Sequence, residues 1–139
     1  MSLRTSDFFS RTLSASKTVT DIVGDRIFLP ARPTIDENED KIPYIIIEPG
    51  GLQNTSQTKD SSAEGDEDSV TVSILCVAES HDKLMDLCEA VREECIAAWE
   101  AGTDDAVPIE WAFSASEENY DPIKPCNYIR LNYQCTTNR

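Results

Sequence analysis

Residues 69–100 constrain the fold more than any other part of this sequence. The segment 69–78 alternates and then becomes almost wholly apolar, with many β-branched side chains, which is typical of a strand inside a sheet. From Leu84 onward, apolar residues recur at the three- and four-residue spacing of an amphipathic helix: Leu84, Leu87, Cys88, Val91, Cys95, Ala98 and Trp99. Ser80 is the predicted N-cap. We therefore expect a central strand followed by a long helix that packs back on the sheet.

Two shorter helices are predicted before this stretch. Phe9 and Leu13 lie at helical spacing and predict a first helix near residues 6–13. Ser16 is the predicted cap of a second helix, which ends before Gly24 because glycine accepts the left-handed conformation just past a helix end. The chain is therefore predicted to open with a helical hairpin.

The next elements are two strands and a long polar loop. Residues 26–29 predict a short strand, and residues 42–48 predict a longer one that Pro49-Gly50-Gly51 ends. Polar and acidic residues then dominate a loop at about 52–68, a length typical of functional or disordered segments. We expect this loop to be mobile in the isolated protein and to order against a partner. Its predicted partner contacts are Lys59, Asp60, Glu64, Asp66, Glu67 and Asp68.

A hairpin is predicted after the long helix. Alternating segments at 107–116 and 128–135 predict two strands on either side of a polar loop at 117–125. The residues predicted to point inward are Ile109, Trp111, Phe113, Ala115, Ile129, Leu131, Tyr133 and Cys135. Residues 136–139 are predicted to form a polar tail.

Together these elements predict one α+β domain over residues 1–139. The expected architecture has two layers, a mostly antiparallel sheet of four to five strands and two helical segments packed on one face. A length of 139 residues is enough for a single core. A sheet covered on one side leaves its other face for solvent or for neighbouring molecules.

The charge of the chain limits its partners. Twenty-six acidic residues oppose 12 basic ones, and the net charge is −14. This balance argues against binding to nucleic acid or to anionic membrane surfaces, both of which require clustered Lys and Arg. No apolar run approaches the roughly 20 residues of a transmembrane helix, and no secretion signal precedes the first helix, so we expect a cytoplasmic protein. Any homo-oligomer would assemble in a salt-sensitive way.

Patterns of catalytic or metal-binding residues are not found. The five cysteines are an odd number without a CxxC pair, which indicates buried free thiols rather than a zinc site. The adjacent Ser80, His81 and Asp82 do not form a triad, because successive residues at a helix start point in different directions. The acidic segment 60–68 lacks the closing glutamate of a calcium loop, since the twelfth position is Thr71. We therefore predict no enzymatic activity, no metal and no cofactor.

Four parts of the sequence carry a resemblance to a known family. They are IVGDRIFLP at 22–30, IPYIII at 42–47, a polar loop with Thr58 and Asp60, and VTVSI at 70–74, which runs through Ala78-Glu79-Ser80 into the amphipathic helix. In this order the chain resembles the tail-completion proteins of tailed bacteriophages and prophages, also called tail terminators or head-tail joining components. The resemblance covers about residues 5–100 in detail and the final hairpin in outline.

The resemblance implies an α+β fold and a structural role without catalysis. Proteins of this family assemble into a ring, usually a hexamer, that caps the tail tube, stops its polymerisation and presents a surface to the head connector. The implied partners are copies of this chain, the tail-tube protein and the head connector, while DNA passes through without specific binding. The implied location is the virion tail, after assembly in the cytoplasm of a bacterial host.

Two other functions fit the same residues. An acidic adaptor or inhibitor would use its negative surface to bind a basic partner, and this binding would weaken steeply with salt. A small enzyme would need a concave pocket with converging polar groups and a perturbed titratable residue. The structure and the oligomeric state in solution distinguish these alternatives from a ring-forming protein.

Overall fold

The computed structural model describes residues 2–29, 42–54 and 67–138, and there it shows a mixed sheet with three α-helices packed on one face. A single 3-10 turn at Ser2–Arg4 precedes the helices, which are α1 (Thr5–Ala15), α2 (Lys17–Val23) and α3 (His81–Ala101). The strands are β1 (Ile27–Phe28), β2 (Tyr44–Asn54), β3 (Glu67–Ala78), β4 (Glu110–Ala115), β5 (Asn119–Asp121) and β6 (Cys126–Asn138). This architecture confirms the predicted α+β fold class.

Strand β3 lies in the middle of the sheet, as predicted. The strand order is β1-β2-β3-β6-β4, and β5 also pairs with β6. The β1–β2 pair is parallel and the other pairs are antiparallel. Strand β3 pairs with β6 along its whole length, from Glu67↔Asn138 to Ala78↔Asn127. Because β3 is hydrogen-bonded on both sides, its apolar content matches its interior position.

The predicted caps fix the starts of two helices. The Ser16 hydroxyl accepts a hydrogen bond from the Val19 N–H at 3.2 Å, and the Ser80 hydroxyl accepts one from the Lys83 N–H at 3.3 Å. Both predicted N-caps are therefore confirmed. Helix α3 ends at Gly102, which has φ 63° in the left-handed region that glycine adopts without steric cost.

The core lies between the helices and one face of the sheet. Alternate residues of the three long strands point toward the helices: Ile45, Ile47, Val70, Val72, Ile74, Cys76, Ile129, Leu131, Tyr133 and Cys135. An aromatic cluster joins α1 to the terminal hairpin. The rings of Phe9 and Trp111 each lie 4.9 Å from the Tyr133 ring, centroid to centroid. The inward positions predicted for β6 are confirmed.

Strand β2 continues past Pro49-Gly50-Gly51, so the predicted end of this strand was wrong. Pairing with β3 resumes after a register shift between Pro49 and Leu52 and continues to Asn54. Gly50 makes this path possible, since a Cβ at this position would lie 2.7 Å from the carbonyl oxygen of Thr71. The turn-like sequence therefore forms a β-bulge, because pairing with the long central strand outweighs the local preference.

The hairpin also departs from its prediction at both ends. Residues 136–138 belong to β6 rather than to a polar tail, and Thr137 is buried where β6 pairs with the start of β3. The predicted loop at 117–125 contains β5, which pairs with Cys126–Tyr128. These polar segments are strands because a neighbouring strand satisfies their backbone groups, which the sequence pattern does not reveal.

Two residues predicted to point inward on β4 are exposed. Ile109 precedes the strand and is 48% exposed, and Ala115 at its end is also exposed. Trp111 and Phe113 pack against the core as predicted. The rings of Phe8 and Phe9 on α1 and of Trp99 on α3 pack against the Trp111 ring. The Arg92 guanidinium on α3 lies over the Phe113 ring. The predicted inward face is therefore correct only for the middle of β4.

Candidate assembly surface

The sheet face opposite the helices is the candidate assembly surface, and we call it the open face. It includes the residues that alternate with the core-facing positions on β2, β3, β4 and β6: Tyr44, Ile46, Glu48, Glu67, Ser69, Thr71, Ser73, Leu75, Val77, Glu110, Ala112, Ser114, Tyr128, Arg130, Asn132, Gln134 and Thr136. The strand register brings these side chains together from three distant parts of the sequence. Most of them are partly or fully exposed.

An ion pair crosses the middle of the open face. Arg130 on β6 donates to Glu48 on β2 through two bonds, Nε to Oε1 at 2.7 Å and Nη2 to Oε2 at 3.3 Å. The hydrogen bond to Glu48 raises the pKa of Arg130. Beside this pair, the Ser73 hydroxyl donates to the Asn132 Oδ1 at 2.7 Å. Three neighbouring strands are thus linked by side chains as well as by backbone pairing.

The open face changes from apolar to polar along the strands. Ile46, Leu75 and Tyr128 lie on one side of the ion pair, in the part of the sheet nearest the start of α3. The other side carries the neutral polar residues Ser69, Thr71, Asn132, Gln134 and Thr136, with the acids Glu67 and Glu110 at its far end. Such a surface has both apolar area and hydrogen-bonding groups, the combination found in protein–protein interfaces.

The described part of the open face carries charges of both signs. Its charged residues are Glu48, Glu67, Glu110 and Arg130, three acids and one base, so its formal charge is −2 against −14 for the whole chain. Much of the exposed acid lies elsewhere, for example Asp82, Asp86 and Glu93 on α3.

The predicted partner contacts fall mostly outside the described residues. Lys59, Asp60, Glu64 and Asp66 are in this group, and so is the rest of segment 55–66. Glu67 is exposed at the start of β3, and Asp68 is buried and accepts a hydrogen bond from the Asn54 Nδ2 at 2.8 Å. The segment predicted as a loop is therefore bounded by paired residues, since 52–54 belong to β2 and 67–68 to β3.

The histidine beside the α3 cap has a partner distant in sequence. The His81 Nδ1 lies 2.5 Å from the Glu118 Oε1, while Ser80 caps α3. Glu118 also accepts a hydrogen bond from Asn127. This hydrogen bond, which has the larger effect, and the contact with His81 both lower the pKa of Glu118. Ser80, His81 and Asp82 thus do not face one another as a catalytic triad would.

The surface cavities of the described residues include one that contains a paired acid and base. A cavity of about 370 Å³ near the end of α3 is lined by Arg11 and Asp104, which already form two hydrogen bonds of 2.8 and 2.6 Å. Those bonds lower the pKa of Asp104. Another cavity, of about 360 Å³, lies between Tyr44 and the hairpin turn at Ile123. Within the described ranges, no group of three or more His, Cys, Asp or Glu side chains is arranged to hold a metal ion.

A search of solved structures finds the same fold. A chain of the structure described as "Virion of native gene transfer agent (GTA) particle" matches with a TM-score of 0.70. The match covers 94% of this chain and 92% of that chain, at 12% sequence identity. The similarity therefore extends over nearly all of both chains. It is a likeness of fold.

The sequence comparisons add no relative. No protein-family model matches this sequence, and no curated protein matches it. None of the helices in the described part of the chain is long and apolar enough to cross a membrane.

Proposed function

We propose that this protein is a structural component of a phage-like virion, in which copies of the chain form a ring that ends the tail tube and joins it to the head. The observation that carries the proposal is the fold likeness to a chain of the gene transfer agent virion, which covers nearly all of both chains. The resemblance of the sequence to tail-completion proteins supports it independently of the fold.

The open face is consistent with ring formation. Copies in a closed ring contact each other through two different surfaces, so each subunit must present a surface that a neighbour can cover. The open face has one base among three acids, and it combines apolar side chains with the Glu48–Arg130 pair. These properties suit contact between copies of the chain.

We propose that the segment between β2 and β3 contacts the tail tube or lines the lumen of the ring. Lys59, Asp60, Glu64, Asp66, Glu67 and Asp68 belong to this segment or border it. A lumen rich in acidic side chains would repel DNA and let it pass without specific binding. The protein would then reside in the virion tail after assembly in the host cytoplasm, without enzymatic activity.

Oligomer size in solution tests the proposal. Light scattering after chromatography, together with negative-stain electron microscopy, should show ring-shaped particles at high protein concentration or after addition of the tail-tube protein. The variant Arg130→Glu places two acids together on the open face and should reduce ring formation. Lys17→Glu makes the same change of charge on exposed α2 and is the matched control.

The outcomes separate the proposal from its alternatives. Monomers at every concentration, with and without tube protein, would overturn it. Binding to a basic protein that weakens steeply with salt, without rings, would instead indicate an acidic adaptor. Equal loss of rings in both charge variants would show that overall charge rather than the open face controls assembly.

A further inference from the structure

The outer edge of β4 carries a row of backbone groups that point away from the sheet. Among the described strands, β4 pairs with β6 alone. Just past the end of β4, the Ser116 N–H donates to the Arg130 carbonyl oxygen at 2.9 Å. Backbone bonding alternates along an antiparallel pair, so Ala112 and Ser114 also bond toward β6. The residues whose N–H and C=O groups point outward are therefore Trp111, Phe113 and Ala115.

These outward groups are open within residues 2–29, 42–54 and 67–138. No backbone or side-chain group in those ranges bonds to the outer side of Trp111, Phe113 or Ala115. Their side chains nevertheless fix the strand, since Trp111 stacks on the Trp99 ring and Phe113 lies under the Arg92 guanidinium. The strand is thus held in place while its backbone edge stays accessible.

Strand β4 lacks the features that usually close a sheet edge. Lysine, proline or a bulge in an edge strand prevents a further strand from pairing. The sequence of β4 is EWAFSA, and its register with β6 is continuous from Glu110 to Ala115. At the other side of the sheet, β1 covers only Ile45 and Ile46 of β2, and Pro49 and the bulge interrupt the rest of that edge. Of these two edges, β4 offers the uninterrupted template.

The charges near this edge favour a basic partner. Glu110 begins β4 and Glu117 follows its end, and both are exposed. On α3, the Arg92 that lies over β4 has the exposed acids Glu89 and Glu93 near it in the helix. Acids therefore outnumber bases here, and a segment that carries Lys or Arg gains attraction. A second copy of β4 would instead bring its own Glu110 and Glu117 and no base.

We propose that the outer edge of β4 is a docking site for an extended, basic segment of a partner protein, which adds a strand to the sheet. The segment exchanges backbone hydrogen bonds with Trp111, Phe113 and Ala115. Its alternate side chains lie beside the Trp111 and Phe113 rings on one face and beside the small Ala112 and Ser114 on the other. This docking uses the backbone edge of β4, so it does not depend on ring formation.

Amide hydrogen exchange, measured by NMR on the full-length protein, tests this inference. The probe is the peptide Lys-Val-Thr-Val-Thr-Val-Lys with blocked ends, and its control is Glu-Val-Thr-Val-Thr-Val-Glu. With the basic peptide near saturation, exchange of the Trp111, Phe113 and Ala115 amides should slow about tenfold, because it proceeds from the free fraction. The Ala112 and Ser114 amides already bond to β6, so their exchange should change much less. The acidic peptide should bind about tenfold more weakly at low salt.

Two variants at one position supply a matched pair. Ala115→Pro removes an outward N–H without removing a bond to β6, and edge strands tolerate proline. This variant should bind the basic peptide about fivefold more weakly, since one hydrogen bond is lost. Ala115→Val keeps the N–H and should bind like the unchanged protein.

The unmodified sequence gives the results that decide the inference, so they stand even if a variant fails to fold. No slowing at the three outward amides, equal slowing at Ala112 and Ser114, or equal binding of the acidic peptide would each overturn it. Slow exchange of the outward amides without peptide, increasing with protein concentration, would show that a second copy occupies the edge. That result would overturn the inference as well.

Discussion

Arg130 on β6 donates two hydrogen bonds to Glu48 on β2, across the central strand β3. The shorter of the two, from Nε to Oε1, is 2.7 Å. The residues are 82 positions apart in sequence. Their contact therefore reports on the correct arrangement of three strands. It also keeps the middle of the open face electrically balanced.

We predict a small stabilising effect of this pair. Arg130→Lys loses the planar two-bond geometry, and because the two side chains are 43% and 37% exposed, water screens much of the remaining attraction. The free energy of unfolding should fall by about 1 kcal/mol or less. Urea denaturation of Arg130→Lys, Glu48→Gln and the double variant measures the part of the coupling that depends on the guanidinium group. A double variant as destabilised as the sum of the two single variants would show that the guanidinium group adds no coupling.

The β-bulge in β2 gives a prediction with a built-in control. Gly50→Ala places a methyl group 2.7 Å from the Thr71 carbonyl oxygen, so the backbone must shift. We expect the free energy of unfolding to fall by about 1–3 kcal/mol. The neighbouring Gly51 has no atom within 4 Å of an added Cβ, and Gly51→Ala should leave stability unchanged or slightly raised. Thermal unfolding of both variants checks this, and equal losses would contradict it.

The contact between α1 and the turn after α3 predicts a dependence on acid. Hydrogen bonds from Arg11 lower the pKa of Asp104, so this carboxylate stabilises the fold above its unfolded pKa of about 3.9. The contribution is lost as the pH falls through the lower folded pKa. The melting temperature of Asp104→Asn should therefore lie below that of the unchanged protein near neutral pH and approach it in acid.

Asp104→Asn keeps a side-chain oxygen that can accept the hydrogen bond from the Ala106 N–H. The variant therefore removes the charge and leaves this hydrogen bond of the turn in place. The exposed neighbour Asp105 supplies the control, since Asp105→Asn should follow the curve of the unchanged protein more closely. Curves for Asp104→Asn that run parallel to the unchanged protein at every pH would contradict the assignment.

The proposed ring predicts that salt promotes assembly. Copies of a chain with a net charge of −14 repel each other, and this repulsion is screened within a Debye length of about 10 Å at 0.1 M ionic strength. The fraction of protein in rings should therefore increase between about 0.05 and 0.5 M sodium chloride. Light scattering at several salt concentrations measures this fraction, and a decrease with salt would indicate that opposite charges hold the subunits together.

Local signals in the sequence predicted the helices well. Serine caps at Ser16 and Ser80 and the positive-φ Gly24 just past α2 depend on neighbours within a few positions, and each lies where the pattern indicates. The core-facing side of β6 was likewise predicted, because strict alternation assigns a face once the strand is found.

Features that depend on a neighbouring strand were not predicted. Pro49-Gly50-Gly51 resembles a strand end, yet pairing with β3 carries β2 through it as a bulge. Residues 136–138 are polar, yet β3 pairs with them and buries Thr137. The open face could be expected from a one-sided helical layer, but its composition could not, since the partnership of Glu48 with Arg130 depends on strand order.

Strand β6 lies between β3 and β4, and this order has a consequence for how the protein is made. As the chain leaves the ribosome, β3 can pair with β2, but its other edge stays open and β4 has no neighbour until β6 has been synthesised. Sheet completion therefore waits for β6, and until then the outer edge of β3 exposes unpaired backbone N–H and C=O groups. Protection by a chaperone during translation would be most valuable in that interval.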